Sequence, residues 1–397
     1  MKDVVIVDGV RTAIGRMGGT LKEVPVDFLA AKVIKAVLTR TNLEGEAVDE
    51  VIFGHAKQSS DNPNLARLAL LRAGLPVAVP GYTVHRQCGS GLQAVLNAAQ
   101  QIQCDLADFV VAGGAESMST APYYIRGVRY GLVAGNGEIV DPNTESQPRA
   151  QPIEAYGHLT MGLTAENLAE QYNISREEQD VYALESQRRA ARAIEAGHFK
   201  GEIVPFEVKR RKQTVIFDTD EHPRQTSLEK LAKLPAVFKE GGTVTAGNAS
   251  GRNDAASALV IASREAAEMR GLKPKVRILA QAVAGVRPDV MGIGPVPATK
   301  KALKIAGLKL EDIDLIELNE AFAAQTLAVM RELGLDHNRV NVNGGAIALG
   351  HPIGATGAIL MTKLIHALER RKVRYGLVSL CIGGGQGISC IVENLNT

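Results

Sequence analysis

The chain repeats itself. VDEVIF begins at residue 48 and IDLIEL at 313, 265 positions later, while FVVAGGAES begins at 109 and GLVSLCIGG at 376, 267 later. Between those pairs, CGSG at 88–91 faces HPIGATG at 351–357, which sets Gly91 and Gly357 266 positions apart. Three nearly equal offsets between segments of like residue type are the mark of a duplicated unit. Short β-rich runs also alternate with Ala-rich helical stretches: VVIV, Asp27 to Leu38, VDEVIFG, the helix after Cys88, then DFVVAGGAES. That alternation predicts an α/β fold of two similar βαβ-rich halves around a largely parallel sheet. In the second copy, GLVSLCIGGGQGISCIVEN reads as a strand, a Gly-rich turn and a returning strand. In the first, FVVAGG and ALVIAS would form the same pair, with residues 121–251 inserted at the turn.

The inserted stretch has a different texture. Residues 121–157 are rich in Tyr, Gly, Pro and Asn without a long period, and 161–198 are strongly helical. Ser175 with Glu178 supplies a capping box for one of these helices. The expected organisation is therefore residues 1–120 plus 252–272 as an N-terminal half, 121–251 as an inserted domain, and 273–397 as a C-terminal half.

Composition removes several function classes. Net charge is +2 with 22% charged residues of mixed sign, which does not point to nucleic acid. No continuous apolar segment approaches the roughly 20 residues that span a membrane. The N-terminus, MKDVVIVDGVRTAIGR, lacks the order of an export signal and reads as a first buried strand. The four cysteines, Cys88, Cys104, Cys381 and Cys390, form no CxxC and have no paired His spacing. A reduced, cytoplasmic protein without a zinc site or disulfide framework is the expectation. Gly9 is followed by VRTAIGR rather than a GxGxxG turn, which disfavours a nicotinamide site, and HEXXH and GKS/T motifs are missing.

The duplication converts scattered motifs into one candidate site. In YTVHRQCGSGLQAVLNAAQQ a strand feeds a helix through Cys88, where free N–H groups and the helix dipole favour thiolate. A small apolar core residue is the other reading of such a cysteine. His351 stands at the matching place in the second half, and Cys381 lies at a strand end just before Gly383-Gly384-Gly385. Ligands of open α/β folds gather at the carboxyl ends of strands. A His beside a Cys can take its proton, and a second cysteine can be tuned for proton transfer. Backbone N–H groups at Cys88 and in the Gly383 turn could form an oxyanion hole. Asn319 and Glu320 follow a strand and open a helix, so Asn319 is either a cap or an amide that holds a water or substrate carbonyl.

RQCGSGLQA, GGAESM, TAGNASG, NEAFAAQ, NGGAIALGHPIGATG and CIGGGQG resemble, in order and spacing, the signatures of thiolases. The resemblance covers essentially the whole chain. It implies the five-layered αβαβα thiolase fold, with the inserted domain binding coenzyme A. It also implies roles: Cys88 as acylated nucleophile, His351 as its activating base, and Cys381 as the acid/base at the acetyl methyl carbon. Asn319, through a held water, and His351 would serve one oxyanion hole, and the N–H groups of Cys88 and Gly383 the other. By the same resemblance Ser250 contacts the pantetheine, Arg224 lies at the adenine, and Met161, Met291 and Phe322 surround the acyl pocket.

The implied reaction is reversible condensation of two acetyl-CoA to acetoacetyl-CoA and CoA. Thiolysis of longer 3-oxoacyl-CoA is the alternative, and a non-catalytic CoA-binding protein of the same fold is a third reading. No organic cofactor or metal is needed, because coenzyme A thioesters are the substrates. The basic run KRRK at 209–212 would suit the CoA phosphates, and a homodimer or homotetramer is implied. Four positions depart from the family pattern. His85 replaces a usual Asn, Thr160 a His common in short-chain members, Arg252 a frequent apolar residue, and Ala255 a usual Gly.

Overall fold

The computed structural model describes residues 2–210 and 213–397. Arg211 and Lys212 of the basic run therefore lie outside the described residues. Strand β1 (Val4–Arg11) is followed by helix α1 (Val26–Thr41), β2 (Glu50–Gly54), β3 (Gly81–Val84), α2 (Ser90–Gln103) and β4 (Phe109–Ser117). The long helix α3 (Arg176–Glu195) belongs to the stretch between β4 and β5 (Asn253–Ser263). Next come β6 (Val276–Gly285), α4 (Pro295–Ala306), β7 (Leu315–Leu318), α5 (Ala323–Leu333), α6 (Thr356–Arg371), β8 (Tyr375–Ile382) and β9 (Gln386–Asn394).

The strands lie in the order β7-β8-β9-β6-β1-β5-β4-β2-β3. The two halves mirror one another about a narrow seam, in which β1 and β6 share only the rungs Val5↔Arg277 and Ile6↔Val276. The outermost strand β3 of the first half has a faint counterpart in the second, a single parallel bridge from Ile316 to Val340.

Helix α2 packs on β2, β4 and β5, and α6 packs on α2 and on strands of both halves, so these two helices fill the middle layer. Helix α1 covers the outer face of the first half and α4 that of the second, which completes five layers, αβαβα. Strands β1, β4 and β5 are buried along their whole length, as strands covered on both faces must be. The twelve consecutive positions Thr356 to Ala367 of α6 are buried with the sole exception of His366, so this helix is apolar nearly all round because it is surrounded.

Two reciprocal contacts fix the middle layer. A Cβ on Gly91 would lie 2.9 Å from the backbone nitrogen of Ala358, and one on Gly357 would lie 2.3 Å from that of Leu92. Each half thus presses a glycine against the other's helix at equivalent positions. Glycine is required there because the backbones approach too closely for any side chain.

The sheet is not largely parallel. Only β2–β3, β2–β4 and β7–β8 run parallel, and the other pairings are antiparallel. The reason is that each half closes on a returning strand. β8 and β9 form a hairpin through Gly384 and Gly385, whose φ values of 85° and 84° belong to the left-handed region. β4 and β5 pair in the same way, from Phe109↔Ala262 to Ser117↔Asp254, across the 135 residues between them. The capping box of Ser175 and Glu178 is present at the start of α3.

Candidate active site

Cys88 lies in a tight turn between β3 and α2. Arg86 N–H donates to the Ser90 hydroxyl at 2.8 Å, which in turn donates to the Gln87 carbonyl at 2.6 Å. Gln87 is held at φ 45°, a strained conformation for a side-chain-bearing residue beside a reactive group. Gly89 lets this turn rest on the end of β8, since a Cβ there would sit 2.6 Å from Ile382 Cδ1. The nucleophile's turn is thereby set against the strand that carries Cys381.

The helix-start argument alone would lower the Cys88 pKa. Burial instead pushes the thiol up, although N–H groups of Gly383 and of Cys88 itself and the charge of Lys57 oppose the rise. Desolvation of this half-buried group outweighs the dipole, so the resting group is the thiol. Both N–H groups expected to form an oxyanion hole thus already act on the Cys88 sulfur.

His351 has its protonation pattern set by a neighbour. The Thr356 hydroxyl donates to the Pro352 carbonyl at 2.9 Å and so has only lone pairs left for His351 Nδ1, 2.6 Å away. Nδ1 must carry the proton, which leaves Nε2 as a bare acceptor. Nε2 is buried without a partner among the described residues, and burial pushes the ring pKa down to about 4. The backbone of His351 is pinned by Asn253 Oδ1 at 2.9 Å and bridges that of Arg252. A neutral imidazole with its free lone pair facing a cysteine cleft is a general base for a thiol.

One cavity of about 170 Å³ brings together Cys88, His351, Gly383, Ser250, Met161, Met291 and Phe322. Its apolar wall continues into a cluster in which Met291, Phe322, Ala249 and Ala321 pack with Cys381, flanked by Met161 and Phe238. Phe238 and Phe322 meet edge to face with centroids 6.0 Å apart. Cys381 itself is fully buried, and burial, reinforced by the neighbouring Cys88, pushes its thiol well above the usual range. Asn319 is also fully buried, and neither amide atom has a partner among the described residues. It does not cap a helix: α5 starts at Ala323 with Phe322 before it, because Asn319 is still tied to β8 through its N–H to the Ser379 carbonyl. Arg224 stands apart from the cavity, exposed, with its N–H on Gln187 Oε1 and its guanidinium on the Ala246 carbonyl.

Sequence reasoning passed over Glu116, Lys57 and Thr356. Glu116 sits in the GGAESM stretch, fully buried, and accepts from the backbone of Ala56, Lys57 and Gly354 and from His55 Nδ1 at 2.8 Å. It therefore ties the loop after β2 to the His351 loop of the other half. Burial alone would raise its pKa; His55, the Gly354 N–H and Lys57 outweigh it and hold the carboxyl below its usual range. The signal in sequence is a carboxylate at the end of a fully apolar strand, where an unpaired charge is rare.

The four departures also find places. His85 is half-buried, its pKa pushed down by burial and by His55 and Lys57, against a Gln87 hydrogen bond and Glu116. Thr160 caps the helix that begins at Met161 by accepting from Leu163 N–H at 3.3 Å. Ala255 is a core residue of β5 opposite Glu116, and Arg252 lines the cavity.

Among the described residues no group of His, Cys, Asp and Glu could hold a metal ion, and no helix is long and apolar enough to cross a membrane. A duplicated αβαβα fold with a cysteine, a neutral imidazole and a second cysteine converging from both halves defines an acyl-transfer enzyme that works through a thioester. Residues 4–265 match the N-terminal domain of thiolase and residues 272–394 its C-terminal domain, so the chain belongs to the thiolase family. It is 52% identical to acetyl-CoA acetyltransferase of Escherichia coli K12, over 100% of both chains. The crystal structure of Bacillus anthracis acetyl-CoA acetyltransferase superposes with a TM-score of 0.97, at 50% identity over 100% of this chain and 99% of that one. Human mitochondrial 3-ketoacyl-CoA thiolase in complex with CoA gives 0.94, at 47% identity over 99% and 98%.

Proposed function

We propose that the protein catalyses the reversible Claisen condensation of two acetyl-CoA to acetoacetyl-CoA and CoA, by ping-pong acyl transfer through Cys88. The observation that carries this reading is the convergence of the half-buried Cys88 thiol, a bare imidazole Nε2 and the Gly383 N–H on one cleft. His351 takes the Cys88 proton as sulfur attacks the thioester carbonyl. The N–H groups of Cys88 and Gly383 hold the oxyanion that develops, and CoA leaves with the proton of the Cys381 thiol, so that Cys381 becomes a thiolate while His351 keeps the Cys88 proton on Nε2. Cys381 then removes a proton from the methyl carbon of the second acetyl-CoA, and the carbanion attacks the acetyl-Cys88 carbonyl. The C–C bond forms as the C–S bond to Cys88 breaks, and the Cys88 sulfur recovers its proton from His351. Asn319, through a water, and His351 stabilise the enolate oxygen. The high pKa of Cys381 suits this task, since only a strongly basic thiolate abstracts a carbon-bound proton.

Ser250 is assigned to the pantetheine, Arg224 to the adenine end, and Met161, Met291 and Phe322 to the acyl group. Residues 121–251 are assigned as an inserted CoA-binding domain between the halves 1–120 plus 252–272 and 273–397. Assembly as a homodimer or homotetramer is supported by exposed apolar side chains around a short hairpin, Tyr130 at 93% and Val133 at 98% among them. A cytoplasmic location completes the reading. Incubation with acetyl-CoA followed by peptide mass spectrometry is expected to find the acetyl group on the peptide carrying Cys88. Acetyl on another residue refutes the assignment.

A further inference from the structure

Residues 141–151 form a strap across the Cys88 cleft. Asn143, Ser146, Gln147 and Ala150 all line the cavity that holds Cys88 and His351. At one end the strap rests on the glycine turn after β8. A Cβ on Gly383 would lie 3.8 Å from Ala150 Cβ, and one on Gly384 would lie 2.6 Å from the Ala150 carbonyl oxygen. The chain leading into the other end holds it little, since residues 122–139 are exposed in the single chain. The Arg126–Glu145 ion pair between them is a surface contact of small weight. The hold comes instead from the body of the fold. The Lys57 ammonium donates to the Pro142 carbonyl at 3.2 Å and to the Ser146 hydroxyl at 2.5 Å. Arg252 donates to the Thr144 hydroxyl at 3.2 Å, with Asp141 3.7 Å away, and Asn143 Nδ2 donates to the Met118 carbonyl at 2.9 Å. Lys57 is 7% exposed, so its bonds are shielded from water, whereas the Arg252 side chain is 41% exposed. Glu116 and Asp141 balance the Lys57 charge, while its hydrogen bonds go to the strap.

We propose that Lys57 is a positioning residue that latches this strap over Cys88, and that the latched strap keeps water from the acyl group carried there. This rests on the thiolase reading, in which acetyl-Cys88 must outlast the exchange of CoA for the second acetyl-CoA. The competing reaction is hydrolysis. Water oxygen bonds to the acetyl carbon and the C–S bond to Cys88 breaks. One water proton passes to the sulfur, and acetate and the other proton go to solvent. Water enters while the strap is open, so the hydrolysis rate scales with the open population, and a lost latch bond enlarges that population. The charge of Lys57 acts in the opposite sense. It favours the Cys88 thiolate, and by the same attraction it favours the oxyanion that forms when water attacks the acetyl group. Removing the charge alone therefore slows both acetylation and hydrolysis, whereas opening the latch hastens hydrolysis. The two roles of Lys57 differ in sign.

In the test, enzyme acetylated by acetyl-CoA is freed of CoA by gel filtration, and loss of the acetyl group is followed by intact-protein mass. Lys57→Met should acetylate more slowly than the parent enzyme yet lose its acetyl group roughly 10- to 100-fold faster, the scale of a lost charge-assisted bond. Ser146→Ala keeps the charge and removes the bond from the other side, so it should also hasten the loss. The double variant should lose acetyl no faster than Lys57→Met alone, because both changes remove the same bond, whereas unrelated damage would add. Acetyl lost from either single variant no faster than from the parent, or additive effects in the double variant, overturns the latch and leaves the thiolase reading standing. If Lys57→Met does not acetylate, Ser146→Ala alone decides. No acetylation of Cys88 in the parent enzyme overturns both.

Discussion

Thr356→Val is the sharpest probe of how His351 is set for its task. Valine keeps the shape of threonine but removes the lone pairs that accept the Nδ1 proton across 2.6 Å. In the buried setting of both residues, an Nδ1–H without an acceptor is disfavoured by about 1–3 kcal/mol. The imidazole can relieve that by moving its proton to Nε2, the form that cannot accept from Cys88. At about 1.36 kcal/mol per tenfold, acylation of Cys88 should slow by roughly 5- to 150-fold. The assay is single-turnover acetylation by acetyl-CoA, quenched and read by intact-protein mass. Thr356→Ser, which restores the acceptor, should return most of the rate. If Thr356→Val acylates as fast as the parent enzyme, or if Ser and Val lose rate equally, the tautomer argument is wrong.

Cys381→Ser should keep acetylation of Cys88 but abolish condensation; retained acetoacetyl-CoA synthesis would remove Cys381 from the role of base. Because burial raises the Cys88 thiol above its usual 9.0, its alkylation by iodoacetamide should still climb at about pH 9, with no plateau near neutrality. His351, neutral down to about 4, should add no inflection between pH 6 and 7, and one appearing there would contradict the buried-imidazole description. Arg11, fully buried, pairs with Glu202 at 2.8 Å and Asp220 at 2.7 Å, so Arg11→Met would strand two buried carboxylates. A loss of about 3–5 kcal/mol is expected in urea unfolding, and a loss below 1 kcal/mol would refute the pairing as a structural requirement.

What could be read from residues and what could not divides along distance in the chain. Cys88, His351 and Gly383 were legible because a strand end, a glycine turn and a helix start are local, and the 266-residue offset predicted which would meet. The strand directions were not. βαβ alternation is a local pattern, whereas the antiparallel rungs of β5 on β4 and β1 join segments far apart in sequence. The Cys88 pKa failed for the same reason, since the dipole is local and burial is not. Lys57 stands in HAKQSSDN, a loop with no period, and gains meaning only beside residues 141–146 and 252. Thr356 looked like one more helix residue until Pro352 and His351 fixed the direction of its hydroxyl. Asn319 was placed one turn too early because the sequence does not show that its N–H still belongs to the sheet.

The glycines at 91 and 357 reach beyond packing. A duplicated gene can alter its two copies separately wherever they do not touch, and here one copy carries Cys88 where the other carries His351. At the axis the copies do touch, each backbone occupying the space where the other's side chain would go. Neither copy can drift there alone, because any change in one is felt by its twin. The two halves are free to differ in chemistry because they are not free to differ in how they meet.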